Sequence, residues 1–204
     1  SDVRNALVDL KSQGITRLVL DVRDNPGGIL KEAVDIVNLF VPKGKEVVRT
    51  IGKLENVNSV YKTTKSPVDK DIPMVVLINE RSASAAEIVA GALQDYDRAV
   101  LIGRRTFGKG LVQTTVPLSY NAQVKITTAK YYIPSGRCIQ AIDYSQENRD
   151  ENGNSISIPD SLRKEFKTKN GRIVLDGAGI EPDQKTESKS FAPITYSLVA
   201  RNLV

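Results

Sequence analysis

Residues 73–103, PMVVLINERSASAAEIVAGALQDYDRAVLIG, decide the fold of this chain. Two apolar runs, residues 73–79 and 99–103, flank a segment of small residues whose pattern predicts a helix over residues 84–96. Continuous apolar runs are typical of parallel strands in a sheet that is covered on both faces. A strand, a helix and a strand in this order predict a crossover unit of a parallel α/β sheet.

The same pattern occurs upstream. Residues 16–22 (TRLVLDV) form a third apolar run, and the turn at residues 23–28 (RDNPGG) leads into helical spacing over residues 29–40. Residues 2–13 have the spacing of a further helix, and the weak alternation over residues 45–63 predicts a hairpin. We therefore expect an α/β fold with a mostly parallel sheet and crossover helices.

The C-terminal half has a different character. Residues 111–117 and 123–133 alternate and are rich in Thr and Val, which predicts an antiparallel β segment. Residues 143–160 are polar and predict an exposed loop, residues 162–168 predict a short helix, and residues 193–203 predict another helix. The length of 204 residues fits a single domain that contains both halves.

The composition excludes several kinds of chemistry. Histidine is absent and Cys138 is the only cysteine, which excludes Ser-His-Asp and Cys-His catalysis, His-ligated metal sites and internal disulfides within this chain. We expect neither a metal nor a cofactor. The net charge of +5 comes from Lys and Arg mixed with Asp and Glu, without a basic run that contains aromatic residues, so we expect no nucleic-acid partner. No apolar run is long enough to span a bilayer.

Ser84 is the candidate nucleophile, because it follows a predicted strand and opens a predicted helix. Amide groups at a helix N-terminus point outward and favour negative charge, so the amide of Ala85 is suited to stabilise an oxyanion. A second amide from Gly27 or Gly28 is suited to complete the oxyanion hole, because glycine lets the backbone approach a ligand closely. Both turns follow parallel strands and are expected at the same carboxyl edge of the sheet, where ligands of open α/β sheets bind.

Lys109 is the candidate general base. A free lysine amine has a pKa of about 10.4 and is protonated at neutral pH, so a lysine base has to be desolvated. The apolar neighbours Phe107 and Leu111 predict that Lys109 is buried. Gln113 faces the same side if a strand begins at Lys109, and its neutral amide is suited to orient the amine. Singly, each motif has an ordinary explanation as a turn, a helix start or a solvated lysine; the combination indicates a catalytic site.

These residues resemble the carboxy-terminal processing proteases, also called tail-specific proteases. The resemblance is carried by LVLDVRDNPGGIL (residues 18–30), by residues 78–113, which contain SASAAE and GKGLVQ, by TTAKYYIPSGRCIQ (residues 127–140) and by GAGIEPD (residues 177–183). It implies these roles: Ser84 as nucleophile, Lys109 as base, Gln113 as the residue that orients the lysine, Glu87 as support, and the backbone of Gly27, Gly28 and Ala85 as oxyanion hole.

The resemblance also implies a fold and a setting. The fold is expected to be of the crotonase and Clp-protease type, and the substrates are expected to be polypeptides bound through their C-terminal region. The family implies a PDZ domain in the full-length chain, which is not among these 204 residues, and a location in a bacterial periplasm or cell envelope. The oligomeric state is left open.

Three alternatives stay open at this point. Residues 103–109 (GRRTFGK) fit a phosphate-binding loop, but Gly110 replaces the Ser or Thr that holds magnesium, and a strand-like segment follows where a helix is needed, so we expect no nucleotide partner. A crotonase-like acyl-CoA enzyme would share the fold and the oxyanion hole without a Ser-Lys pair. A non-catalytic peptide-binding module would keep the fold without hydrolysis.

Overall fold

The computed structural model describes residues 2–144, 149–152, 154–187 and 193–201. Four α-helices occur within these ranges: α1 (Asp2–Ser12), α2 (Leu30–Val37), α3 (Ala85–Asp95) and α4 (Pro193–Ala200). Short 3-10 turns lie at Glu55–Val57 and Asp160–Leu162. Within the described part of the chain, no helix has the length and apolar character needed to cross a membrane.

Twelve strands lie in the described ranges and form separate parallel and antiparallel sheets. They are β1 (Leu18–Asp21), β2 (Glu46–Gly52), β3 (Ser59–Lys62), β4 (Met74–Ile78), β5 (Val100–Gly103), β6 (Leu111–Pro117), β7 (Gln123–Tyr132), β8 (Ile142–Asp143), β9 (Ile156–Ser157), β10 (Glu165–Lys167), β11 (Ile173–Leu175) and β12 (Gln184–Lys185). The α/β class predicted from the sequence is confirmed.

The parallel sheet has the strand order β1-β4-β5-β12, and each neighbouring pair is parallel. Helix α3 connects β4 to β5, as the sequence predicted, and packs against α2. Every residue of α3 is buried, including the polar residues Glu87, Gln94 and Asp95 among the small and apolar ones. Gly91 allows α3 to pack closely against Ile133, since a Cβ at position 91 would lie 2.6 Å from the Ile133 side chain.

The prediction that this sheet is covered on both faces is wrong for this chain. The side chains of Met74, Val76 and Leu101 face α2 and α3 and are buried. On the opposite face, Val19 is 61% exposed and Val100 is 49% exposed. The strands are apolar on both sides, but the described residues bury only one side, and residues on the other side are exposed or half-buried.

The antiparallel sheet confirms two predictions. Its strand order is β3-β2-β7-β6, so the predicted hairpin within residues 45–63 and the predicted pair within residues 111–133 join into one sheet through β2 and β7. Strand β6 lies at an edge, and its register against β7 shifts between Val112 and Gln113.

The C-terminal third differs from expectation at residues 162–168. The predicted helix is wrong: a 3-10 turn ends at Leu162, and β10 then pairs with β11 in an antiparallel hairpin. Glu165 and Lys167 are exposed while Phe166 is half-buried, which is strand periodicity.

Two other predictions for this region fall partly outside the described residues. The loop predicted over residues 143–160 contains the two-residue strand β9, which pairs with β8, and its residues 145–148 and 153 lie outside the described ranges. Helix α4 agrees with the helix predicted over residues 193–203, of which 202 and 203 are not described.

Candidate active site

Three loops meet at the carboxyl edge of the parallel sheet. The turn after β1, the turn after β4 and the turn after β5 are joined by backbone hydrogen bonds: the Ala83 N–H donates to the Asn25 carbonyl at 2.9 Å, and the Phe107 N–H donates to the Ser82 carbonyl at 3.0 Å. The Ser82 hydroxyl, which is fully buried, donates to the Val22 carbonyl at 2.7 Å. The three motifs singled out in the sequence therefore lie side by side.

Ser84 lies in a strained turn between β4 and α3. Its φ of 55° and ψ of −115° place a non-glycine residue in a sparsely populated region, which costs on the order of 1–3 kcal/mol. Such strain persists where the surrounding structure imposes it, and a strained strand-to-helix turn is how α/β-hydrolases expose a nucleophilic serine. Ser84 is half-buried at the start of α3. The backbone geometry therefore fits a nucleophile.

Glu87 connects the Ser84 turn to the Lys109 turn. Its side chain is fully buried, and its Oε2 accepts hydrogen bonds from the backbone N–H groups of both Ser84 and Lys109, each at 2.8 Å. Its Oε1 accepts hydrogen bonds from the Thr106 hydroxyl at 2.6 Å and from the Gly108 N–H at 2.7 Å. Burial raises the pKa of the Glu87 carboxyl above its ordinary value, and these four hydrogen bonds oppose that rise.

The backbone of the Lys109 turn is fixed on both sides. Beyond Lys109, the Gly110 N–H donates to Oε1 of the buried Gln140 side chain at 2.8 Å. Gly108 has a φ of 85°, and a Cβ there would lie 2.3 Å from the Ala141 side chain. Because Glu87 Oε2 is shared, the backbone nitrogens of Ser84 and Lys109 are at most twice 2.8 Å apart.

The predicted burial of Lys109 is wrong for this structure. The Lys109 side chain is exposed, and Phe107, which was expected to cover it, is 58% exposed. Gln113 is also exposed, on the edge strand β6. Among the described residues, no hydrogen bond joins the Lys109 amine to Ser84 or to Gln113. The structure thus brings the backbones of Ser84 and Lys109 together, while the lysine side chain extends into solvent.

The Gly27-Gly28 turn lies against Ser84 and Ala85. Gly27 has a φ of 103°, and its N–H donates to the Asn25 side chain at 2.9 Å. Within the described ranges, the N–H groups of Gly28 and Ala85 have no hydrogen-bond partner, so both are available to an oxyanion.

A small apolar cavity adjoins these amides. It has a volume of about 190 Å³ and is lined at one end by Gly27, Gly28 and Ala85. Its remaining walls include Val22, Ile29, Ala33, Ile36 and Val89. Larger and more open clefts lie at the opposite edge of the parallel sheet, around the N-terminal ends of β1 and β4, away from Ser84. Within the described ranges, no cluster of three or more acidic or cysteine side chains is arranged to hold a metal ion.

Comparison with known proteins identifies the family. Residues 1–147 match the model of Peptidase family S41. The chain belongs to Peptidase family S41. This S41 chain is 45% identical over 146 residues to a carboxy-terminal-processing protease of Bartonella bacilliformis, covering 70% of the chain and 33% of the relative. It is 39% identical over 144 residues to the chloroplastic C-terminal processing peptidase of Tetradesmus obliquus, covering 71% of the chain and 31% of the relative.

Solved structures agree with this assignment. The S41 chain superposes on the photosystem II D1 C-terminal processing protease with a TM-score of 0.66 and 30% identity, covering 90% of the chain and 38% of that protein. A second S41 protease structure, from Bacteroides fragilis, has the same fold at 18% identity and a TM-score of 0.62, covering 99% of the chain and 47% of that protein. The S41 chain spans about a third of the length of the curated relatives it matches.

Sequence reasoning missed several residues that hold the S41 site together. The Thr106 hydroxyl donates to Glu87, the Gln140 side chain accepts from the Gly110 N–H beside Lys109, and the Asn25 side chain accepts from the Gly27 N–H. Thr106 stands in TFGKG and Gln140 in RCIQ, so both lay within motifs already singled out. A polar residue in an otherwise apolar or glycine-rich motif is the signal that was available.

The two glycines of the Gly27-Gly28 turn are expected to respond differently to alanine. Gly27→Ala should lower the free energy of unfolding by about 1–3 kcal/mol, because the residue has a positive φ and its Cβ would lie 2.7 Å from the Ala83 carbonyl oxygen. Gly28→Ala should change it by less than about 0.5 kcal/mol, since nothing lies within 4 Å of its Cβ position. Urea unfolding measures both. Equal losses would contradict the geometry described for this turn.

Proposed function

We propose that this chain is the catalytic part of a serine endopeptidase with a Ser-Lys dyad, which cleaves polypeptides near their C-terminus. The observation that carries the proposal is the shared hydrogen bonding of Glu87 Oε2, which links the backbone of Ser84 to that of Lys109. The strained serine at the start of α3 supplies the nucleophile, and the two free amides supply the oxyanion hole. The lysine on the adjacent turn supplies the base.

The reaction proceeds through an acyl-enzyme. The neutral amine of Lys109 takes the proton of the Ser84 hydroxyl, and the Ser84 oxygen attacks the carbonyl carbon of the scissile peptide bond. The N–H groups of Ala85 and Gly28 bind the oxyanion, with Gly28 preferred to Gly27 because the Gly27 N–H is bound to Asn25. Lys109 then gives its proton to the leaving amine, and water hydrolyses the acyl-enzyme.

Water has to be excluded from Lys109 either by a bound substrate or by other parts of the full-length protein. The Lys109 side chain is exposed here, whereas burial away from water is what favours the neutral form of a lysine amine. A polypeptide laid across Ser84 covers the adjacent Lys109 turn and excludes water from it. In that covered state Gln113, four residues along the edge strand, orients the amine by a hydrogen bond, and Glu87 supports both turns without reacting.

The apolar cavity beside the two amides binds a substrate side chain and thereby positions the neighbouring carbonyl group. Because the cavity of about 190 Å³ begins at Gly27, Gly28 and Ala85, it receives the side chain next to the scissile carbonyl and favours a small apolar one. The relatives are carboxy-terminal processing proteases by name, and we assign this chain the same class of polypeptide substrate.

The proposed fold type, domain organisation and location are those of the protease family. The fold is assigned to the crotonase and Clp-protease type, and a PDZ domain in the full-length chain presents the substrate's C-terminus. The bacterial and chloroplastic relatives support a location in a periplasm or cell envelope. A crotonase-like acyl-CoA enzyme and a non-catalytic peptide-binding module remain the alternatives.

Active-site labelling tests the proposal against both alternatives. A peptidyl phosphonate ester, whose peptide part covers the Lys109 turn as a substrate does, is expected to modify Ser84 and no other serine in the full-length protein, with the position read by peptide mass spectrometry. The matched variant Ser59→Ala, at an exposed position of β3, should label like the unmodified protein. An acyl-CoA enzyme or a binding module has no activated serine, so the absence of labelling at Ser84 would refute the proposed nucleophile.

A further inference from the structure

Thr106 is a buried residue three positions before Lys109, and its hydroxyl joins two parts of the molecule. The side chain donates to Glu87 Oε1 at 2.6 Å and accepts a hydrogen bond from the Ile180 N–H at 2.7 Å. The Thr106 N–H donates to the Ile180 carbonyl at 3.0 Å. Thr106 is therefore bound to the loop before β12 through both its backbone and its side chain, and to Glu87 through the same hydroxyl.

The loop that contains Gly179 and Ile180 approaches Thr106 closely because it has a glycine at the point of contact. Gly179 has a φ of 73°, and a Cβ there would lie 2.7 Å from both the carbonyl oxygen and the hydroxyl oxygen of Thr106. The Gly179 N–H donates to the Ile139 carbonyl at 3.0 Å, which anchors the loop to the segment that carries Gln140. The loop lies beyond residue 147, where the match to the family model ends.

We propose that Thr106 is a positioning residue, whose single hydroxyl fixes Glu87 to the loop of Gly179 and Ile180 and thereby sets Ser84 relative to the Lys109 turn. The inference rests on the proposed function. Glu87 is the only group that binds both turns through one oxygen atom within the described residues, and Thr106 is the only side chain there that donates to it. The backbone donors to Glu87 belong to the turns being positioned, so Thr106 ties this unit to the rest of the fold.

Loss of the hydroxyl removes one hydrogen bond from each of two buried groups. In Thr106→Val, Glu87 Oε1 keeps the Gly108 N–H but loses its shortest hydrogen bond, and the Ile180 N–H loses its acceptor. Glu87 Oε1 is then held by one donor instead of two, which allows the carboxyl group to shift and with it the Ser84 and Lys109 backbones bound to Oε2. Small misplacements of catalytic groups cost roughly 10- to 100-fold in rate.

The experiment compares three variants of the full-length protein: Thr106→Val, Thr106→Ser and Thr63→Val. Thr63 is the matched control, because it is buried to the same degree, donates to the Pro42 carbonyl at 2.7 Å and accepts a hydrogen bond from the Lys45 N–H at 2.9 Å, outside the site. We expect Thr106→Val to lower kcat by about 10- to 100-fold with KM unchanged, and Thr106→Ser to restore most of kcat. Thr63→Val should lose thermal stability while keeping kcat.

Three other results would overturn the positioning role or the proposed function. If Thr106→Val keeps the kcat of the unmodified protein, or loses it only to the extent that Thr63→Val does, the positioning role is overturned. Should Thr106→Val fail to fold, Thr106→Cys serves instead: it keeps the size but donates weakly, so its kcat should lie below that of Thr106→Ser, and equal values would overturn the inference. Absence of Ser84-dependent hydrolysis in the unmodified protein would refute the proposed function itself, and the inference with it.

Discussion

Replacement of Ser84 by alanine is expected to abolish hydrolysis while the fold is retained. Loss of a serine nucleophile lowers kcat by on the order of 10⁵- to 10⁶-fold, because no other group in the site forms the acyl-enzyme. The free energy of unfolding should change by no more than about 1 kcal/mol, the usual cost of an altered helix N-cap. The strained φ of 55° is unaffected by the substitution, since alanine has the same backbone restrictions as serine.

The measurement is peptide hydrolysis at saturating substrate, with urea unfolding of the same preparations. Ser59→Ala controls for the loss of a hydroxyl at an exposed position on β3. Peptide release by Ser84→Ala at the rate of the unmodified protein would contradict the assignment, and so would loss of activity that is explained by unfolding.

Lys109→Ala is expected to lower kcat by about 10²- to 10⁴-fold, the usual contribution of a general base. Lys109→Arg should not restore activity, because a guanidinium cannot lose its proton in a protein and therefore cannot accept one from Ser84. A small primary amine added to Lys109→Ala should restore part of the rate, since the Lys109 position is open to solvent in this structure.

Lys125→Ala is the matched control, because Lys125 is an exposed lysine on β7, outside the Lys109 turn. It should retain the kcat of the unmodified protein. If Lys109→Ala and Lys125→Ala have equal rates, Lys109 is not the base. Restoration of full activity by Lys109→Arg would indicate that a positive charge, and not proton transfer, is what the position supplies.

Long apolar runs made most of the fold predictable. Strands β1, β4 and β5 and helix α3 were predicted because each is a continuous run of apolar or small residues, and their order in the chain indicated a parallel sheet. The failures have a common cause in long-range contacts. Phe166 was read as part of a helix, but it lies in β10 because β11, several residues later, pairs with it.

The proximity of the proposed site residues was predictable from the sequence, but their arrangement was not. Ser84, Lys109, Glu87 and the glycine turn were found from their motifs, and the structure places them at one edge of the parallel sheet. The direction of the Lys109 side chain was not predictable, because the apolar neighbour Phe107 was taken as a cover and is itself exposed. Apolar neighbours in sequence do not bury a side chain unless the fold turns them towards it.

The hydrogen bonds from Ser84 and Lys109 to the same oxygen atom, Glu87 Oε2, could likewise not be predicted from the sequence. Position 87 was expected to support the site, but its contacts with residues 106, 108 and 109 join segments more than 18 residues apart. The positive φ at Ser84 is another consequence of tertiary packing, since serine has no preference for that region by itself.

The central claim is that the Lys109 amine reaches Ser84 once substrate excludes water from the site. Its most direct test is a crystal structure of the full-length protein with a peptidyl phosphonate bonded to the Ser84 oxygen. The account predicts the Lys109 amine within about 3 Å of that oxygen, buried under the bound peptide and contacting Gln113. A phosphonate-bound site in which the Lys109 side chain still extends into solvent, while another group contacts the Ser84 oxygen, would contradict it.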